Sequence, residues 1–280
     1  MGLENLKPTI WNNRLIVALR KALIFGNLTN QNFTGQATVG GSVKFLQIGE
    51  VAVNDYTAYS DMTFEQLDDA SLSMIIDQKK SFSFQLDVTD TTFIPSDVLG
   101  GGIDRGAYRI RDTIDQYISG LYTDAGVTYG SAASPKATSS GTVVQHLAEF
   151  AEAMTENNIP LENRWIVLPP WMFTKLTLAG VTDRQPNADI FEGGYMNLPI
   201  VGFNRVFLSN NVTQIGGTAH TIMASSGNEA IGFAQAISGD VRIRPSEKRR
   251  ATNVDGLWVY GSKVIRPDML AVSYNNETAN

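Results

Sequence analysis

The sequence predicts an α+β fold, and three observations carry the prediction. Residues 71–88 alternate apolar and polar side chains in one long run, the mark of a strand with one covered face. Segments 103–125, 142–158 and 170–178 instead space apolar side chains at the helical period. Helices and strands then follow one another without the strand–helix–strand regularity of a parallel α/β sheet. Composition agrees. Charged residues are 18% of the 280, below the usual ~25%, so neutral Asn, Thr, Ser, Gln and Gly carry much of the polar surface.

The first 35 residues form an arm. Ile10, Trp11, Leu15, Ala18, Leu19, Ala22 and Leu23 share one helical stripe. Lys7, Arg14, Arg20 and Lys21 against Glu4 leave the segment at +3. It reads either as an amphipathic helix on its own core or as an extension packing on a neighbouring subunit.

Residues 36–88 read as a long antiparallel hairpin. Val43 and Phe45 alternate, a turn is expected near Gly49, and Val51 and Val53 continue. The returning strand keeps Leu72, Met74, Ile76, Phe82, Phe84, Leu86 and Val88 in one phase, with Gln78 and Lys80 on the same face halfway along. At about 3.3 Å per residue such a strand spans roughly 56 Å, longer than the roughly 50 Å diameter of a compact globule of this length. The root is expected to pack on the body, and the face carrying Gln78 and Lys80 to meet something further out. An isolated ribbon is marginally stable in water and its edges invite pairing.

A helix of about 20 residues, roughly 30 Å long, follows. Ile103, Ala107, Ile110, Ile114, Tyr117, Ile118 and Leu121 form its stripe, Asp104 is its expected N-cap, and Gly126 its stop. Arg111 and Asp115 stand one turn apart as an ion pair. The preceding Gly100–Gly102 reads as a flexible joint, and residues 126–141, rich in Gly, Ser and Ala, as a mobile connection or domain boundary. Next comes an α-β-α unit: a helix striped by Val143, Val144, Leu147, Phe150, Ala151 and Met154, the buried strand RWIVLP, and a helix with Pro170 in its first turn. After the polar loop Thr182–Pro199, short strands are expected at IVGFNRVFLS, HTIMAS, AIGFA, DVRIR, LWVYG and MLAVSY.

Several functions are excluded or unsupported. The net charge of −6 and pI near 5.0 argue against a dedicated nucleic-acid binder. No cysteine is present, and His146 and His220 are the only histidines, so neither thiolate nor His-rich metal sites arise. No apolar run reaches membrane-spanning length, and the N-terminus has no signal core. Met-Gly opens the chain, but Leu6 stands where myristoylation wants Ser or Thr. The glycines of GQATVGGS lack the lysine of a phosphate loop and precede a strand. No nucleophile elbow and no zinc-protease motif occurs. The cluster RIRPSEKRR is the densest positive patch; it reads as a phosphate contact or, preferably, as a partner for acids across a subunit interface.

A basic arm, a long hairpin, a long helix and an α-β-α unit come in order. NRWIVLPP (163–170), AIGFA (230–234) and the closing VYG…RPD (259–268) fall after them. In this the chain resembles the major capsid proteins of tailed bacteriophages, the Hong Kong 97 fold. The resemblance implies an N-terminal arm (1–35) and an extended loop (36–88) that reaches over the adjacent subunit. It implies a peripheral domain with a spine helix (89–140 and 239–265) and an axial domain (141–238 and 266–280) around the capsomer axis. It implies a structural protein without catalytic residues, cofactor or metal, which self-assembles through hexamers and pentamers into the icosahedral head of the virion. Portal, a separate scaffolding protein and non-specifically held double-stranded DNA are the expected partners, with synthesis in a bacterial cytoplasm and no membrane contact. No large propeptide and no Lys–Asn crosslink are expected. Subunit contacts are expected from Trp11 and Arg14 in the arm, and from Lys44, Asp68, Asp69, Lys79 and Lys80 in the extended loop. Arg184 and Asp189 in the polar loop, and Arg249 and Arg250 in the basic cluster, complete the set. The rival readings are an encapsulin-type compartment shell, distinguished by its cargo enzyme, and a soluble hydrolase, which the histidines would have to support.

Overall fold

The computed structural model describes residues 24–33, 41–48, 55, 59, 69–87, 98–181, 191–192, 195–196, 200–247 and 249–278. The arm stripe 10–23 and the turn expected at Gly49 lie outside them. The strands are β1 (Ser42–Ile48), β2 (Asp69–Ile75), β3 (Gln78–Asp87), β4 (Val127–Tyr129), β5 (Lys136–Thr138), β6 (Arg164–Leu168), β7 (Phe191–Glu192), β8 (Tyr195–Met196), β9 (Arg205–Leu208), β10 (Gln214–Ile215), β11 (Ala219–Ser226), β12 (Ile231–Pro245), β13 (Ala251–Val264) and β14 (Leu270–Glu277). The helices are α1 (Val98–Ser119), α2 (Val143–Glu156) and α3 (Pro170–Leu178).

The α-β-α unit forms as its pattern predicts. Val143, Leu147, Phe150, Ala151 and Met154 are the buried face of α2, and Pro170 opens α3. Between them β6 is buried along its whole length and lies inside a mixed nine-stranded sheet with path β4-β14-β11-β6-β9-β8-β7. Its alternating side chains serve two cores. Ile166 and Leu168 join α2 and α3, while Trp165 and Val167 join α1 on the other side. The segment expected as a mobile connection supplies β4 and β5, both parallel to β14. Glycine and serine there mark turns, not the absence of strands.

The second sheet is β12-β13-β3, antiparallel throughout. AIGFA and DVRIR are one strand, β12, with register shifts between Gln235 and Asp240. The third piece is the ribbon β1–β2, in register from Ser42 opposite Ile75 to Ile48 opposite Asp69.

The long apolar run is therefore two strands. It breaks at Ile76-Asp77: β2 pairs with β1, whereas β3 joins β13. The period-two phase survives the break, but its two halves are covered by different partners. Met74 and Ile76 pack with Val43, Ala234 and Val259. Phe82 packs with Trp258 and Tyr260 on the side of α1. Val259 and Tyr260 are neighbours on one strand, so they face opposite sides of the sheet. The chain crosses from one side to the other over Gly261, where a β-carbon would collide with the Ile75 carbonyl oxygen. Gln78 and Lys80 mark this crossing, opposite Tyr260 and Trp258. They do not lie out along a free hairpin.

Helix α1 starts earlier than its sequence suggests. Gly100–Gly102 sit inside its first turns and are no flexible joint, and Asp104 is an interior residue, not its cap. Each glycine costs about 1 kcal/mol against alanine in a helix, and packing offsets part of that cost. A β-carbon on Gly102 would lie 2.7 Å from Phe84 Cζ, and one on Gly106 2.7 Å from Phe82 Cγ. The two rings, stacked 6.2 Å apart, lie against the bare helix backbone. Asp115 faces the core: it is buried and accepts from the Gly26 N–H and Asn211 Nδ2.

Candidate subunit interface

Helix α1 covers one side of the β12-β13-β3 sheet over β3. Towards its far end the sheet outruns its cover: Arg242, Ile243, Arg244 and Pro245 of β12 are all exposed, on both faces of the strand. Ile243 keeps 51% of its surface in solvent between two arginines. Arg242 bonds Asp240 at 2.7 Å and Arg244 bonds Asp255 at 2.7 Å. Thus two members of the basic cluster, expected to seek acids across an interface, pair within the chain. Exposed pairs of this kind contribute little to stability. Ser83, Gln85, Asn253 and Asp255 continue the polar face and, with Arg244, line an open groove of about 690 Å³. Gln85 Nε2 donates to Asn253 Oδ1 across β3 and β13 at 2.9 Å.

Arg249 and Arg250 are exposed in the turn between β12 and β13, at this far end. Lys79 is exposed and Lys80 half-buried at the opposite end of β3, opposite Val259 and Trp258. About eight strand residues, roughly 26 Å, separate the two pairs, so the structure does not bring them together. Lys44 is exposed on β1 opposite Ser73, and Asp69 opens β2 opposite Ile48. Trp11, Arg14, Asp68, Arg184 and Asp189 lie outside the described residues.

Some exposed groups were not singled out from sequence. Ile75 on the ribbon, Leu161 in the α2–β6 turn and Leu178 at the end of α3 are each more than 60% exposed. Leu178 closes a stripe in which its neighbours are core, so spacing alone does not reveal it. Lys263 was missed too: its Nζ donates to Ser73 O at 2.9 Å, fastening the ribbon root to β13.

The two histidines have structural partners. His146 Nδ1 meets Thr138 Oγ1 at 3.1 Å, and Trp171 Nε1 donates to His220 Nδ1 at 3.3 Å. Burial lowers the pKa of both. Glu149, beside His146, accepts from Tyr129 OH and Gln145, and the tyrosine bond holds its carboxyl below the usual range. Among the described residues no group of three or more His, Asp or Glu is arranged to hold a metal ion. These are the marks of surfaces and packed networks.

Residues 76–273 match the sequence profile of the phage capsid protein family. The chain belongs to that family. Its role is that of a structural major capsid protein, and its place is the capsid of a virion, in a shell of many subunits. The capsid fold is shared with solved structures at low identity. Mycobacterium phage Che8 gives 22% identity and a TM-score of 0.79, covering 97% of this chain and 98% of that one. The capsid of cyanophage P-SCSP1u gives 17% and 0.78, covering 99% and 95%. The capsid of Myoviridae phage XM1 gives 15% and 0.66, covering 98% of each. No curated protein matches the capsid chain in sequence.

Proposed function

We propose that this capsid protein builds the closed icosahedral head of a tailed bacteriophage from hexamers and pentamers, around double-stranded DNA that it holds non-specifically. The observation that carries the reading is the uncovered far end of β12, where four successive side chains are exposed and an isoleucine lies bare between arginines. A chain that extends a sheet beyond its own core buries that surface on a neighbour, and rings close when such head-to-tail contacts complete a rotation. The β12-β13-β3 sheet with α1 serves as the peripheral domain and spine helix, the nine-stranded sheet with α2 and α3 as the axial domain, and β1–β2 as the root of the extended loop. Lys44, Asp69, Lys79, Lys80, Arg249 and Arg250 contribute to contacts between copies. A portal and a scaffolding protein complete the head during its synthesis in a bacterial cytoplasm. The chain catalyses no reaction and forms no covalent crosslink; a ladder of bands on a denaturing gel would contradict the latter.

Negative-stain electron microscopy with sedimentation velocity tests the reading. Closed shells or capsomer rings are expected, with DNA inside particles taken from infected cells. A chain that stays monomeric with its neighbouring gene products refutes it, and particles carrying a cargo enzyme point to a compartment shell.

A further inference from the structure

The segment leading out of the arm is tied to the body at two places. Phe25–Leu28 form a short 3-10 turn in which Ile24, Phe25 and Leu28 are each no more than 4% exposed. They pack with Ile110, Ile114 and Ile118 of α1. The start of that turn sits on one carboxylate. Asp115 Oδ1 accepts the Gly26 N–H at 3.1 Å. Asn211 Nδ2 holds the other oxygen at 3.0 Å and reaches Asp112 Oδ1, one helical turn away, at 2.9 Å. Five residues on, Asn30 extends the second sheet: its N–H donates to Ile231 O at 2.8 Å and its carbonyl accepts from the Phe233 N–H at 3.0 Å. Residues 24–33 thus cover the near edge of β12 and plug the core beneath it.

We propose that residues 24–33 remain with their own subunit in the assembled shell, anchored by Asp115, so that any exchange of the arm between copies stops at Ile24. The arm as read from sequence, residues 1–35, then has two functional parts: a root that belongs to the fold, and the residues before Ile24, to which any exchange is confined. The physical ground is the cost of extraction. Pulling the root out exposes three buried apolar side chains and strips Oδ1 of the buried Asp115 carboxylate of its backbone donor, leaving only the Asn211 bond on the other oxygen. An under-paired buried charge is expensive. A neighbour's root could enter only by displacing this one, with the same contacts and no gain. Asp115 is therefore a positioning residue: it fixes the point and direction from which the arm departs. The inference rests on the assembly reading above.

The chain has no native cysteine, which allows a direct test. Gly26 and Arg111 border the same cavity of about 350 Å³, and a β-carbon on Gly26 meets nothing within 4 Å. The full-length double variant Gly26→Cys/Arg111→Cys, treated as assembled particles with a short bis-maleimide, is expected to crosslink within one chain and keep monomer mobility on a denaturing gel. Particles co-assembled from the two single variants are expected to give no dimer band. A dimer band from that mixture overturns the proposal. If the wild type never assembles, the capsid reading fails, while the same double variant in the free chain still reports whether the root is held. Asp115→Ala separates anchor from mere fold. Hydrogen exchange at Gly26 is expected to rise about tenfold or more, with the amides of α2 unchanged. Unaltered protection at that amide overturns the role of Asp115.

Discussion

The ring of Phe82 occupies the space that a side chain on Gly106 would need: a β-carbon there would stand 2.7 Å from both Cγ and Cδ2. The clash is with the base of the ring, which cannot swing away without moving β3. Gly106→Ala is therefore expected to destabilise the subunit by about 1–3 kcal/mol, although alanine is the better helix former by about 1 kcal/mol. Gly102→Ala meets chiefly the tip of Phe84 and should cost less. Gly120→Ala, with nothing within 4 Å, should be neutral or stabilising. Chemical denaturation of the three variants gives the order directly.

Arg164 is fully buried, and its charge is met by backbone and hydroxyl oxygens. Its guanidinium donates to the carbonyls of Pro160, Ala151 and Ile159 and to Thr155 Oγ1. It thereby ties the last turns of α2 to the turn that follows. Arg164→Met removes the donors and strands several acceptors. A loss of about 3–5 kcal/mol is expected, and Arg164→Lys should recover only part of it because lysine lacks the planar fork. Thermal unfolding of both variants checks this.

Val201 has φ 44 and Gly202 φ 85, and Ile200 and Phe203 exchange backbone hydrogen bonds at 2.9 and 3.0 Å across them. Two central residues with positive φ make a type I′ turn, which favours Asn-Gly, and a β-branched residue is strained there. Val201→Asn should stabilise by about 1 kcal/mol, less what the valine's partial packing on the core contributes. An unchanged or lower unfolding midpoint would show that packing outweighs the strain.

Burial depresses the pKa of His146 and His220 from the ordinary 6.5, so protons bind the unfolded chain more readily. Their contribution is fully present above pH 6.5 and is lost as pH falls from there through the folded values. Glu149, held low by Tyr129, loses its contribution in a separate window below its ordinary 4.5. Midpoints measured from pH 8 to pH 4 should therefore begin to fall just below 6.5. Replacing both histidines with glutamine should flatten that first decline and leave the second.

Much of the fold is legible in particular residues. The stripe of α2 follows from spacing and the burial of β6 from its unbroken apolar run, because both patterns are local to their own residues. The even-numbered set from Leu72 to Leu86 is likewise a true covered face. The pattern says that these side chains are covered, but not by what, so one strand was expected where two sheets share the work. Gly100–Gly102 misled for a related reason: their local cost is visible, whereas the ring that fills the place of a side chain on Gly102 is Phe84, which belongs to a separate element, β3. Within the candidate interface, the exposure of Lys44, Lys79, Arg249 and Arg250 follows from their charge. The pairing of Arg242 and Arg244 with Asp240 and Asp255 depends on the register of β12 against β13.

The sequence by itself determined the α-β-α unit, the apolar faces, the lack of cysteine chemistry and, through the order of its segments, the resemblance to a capsid subunit. These rest on local periodicity and composition, which act over a few residues. Only the tertiary structure decided where the long strand breaks, which face each half covers, and that Asp115 turns inward to the Gly26 N–H. Those outcomes depend on hydrogen-bond register and on close approach between segments about a hundred residues apart, as between Gly26 and Asp115, whose separation is 89. No local pattern encodes such a partner.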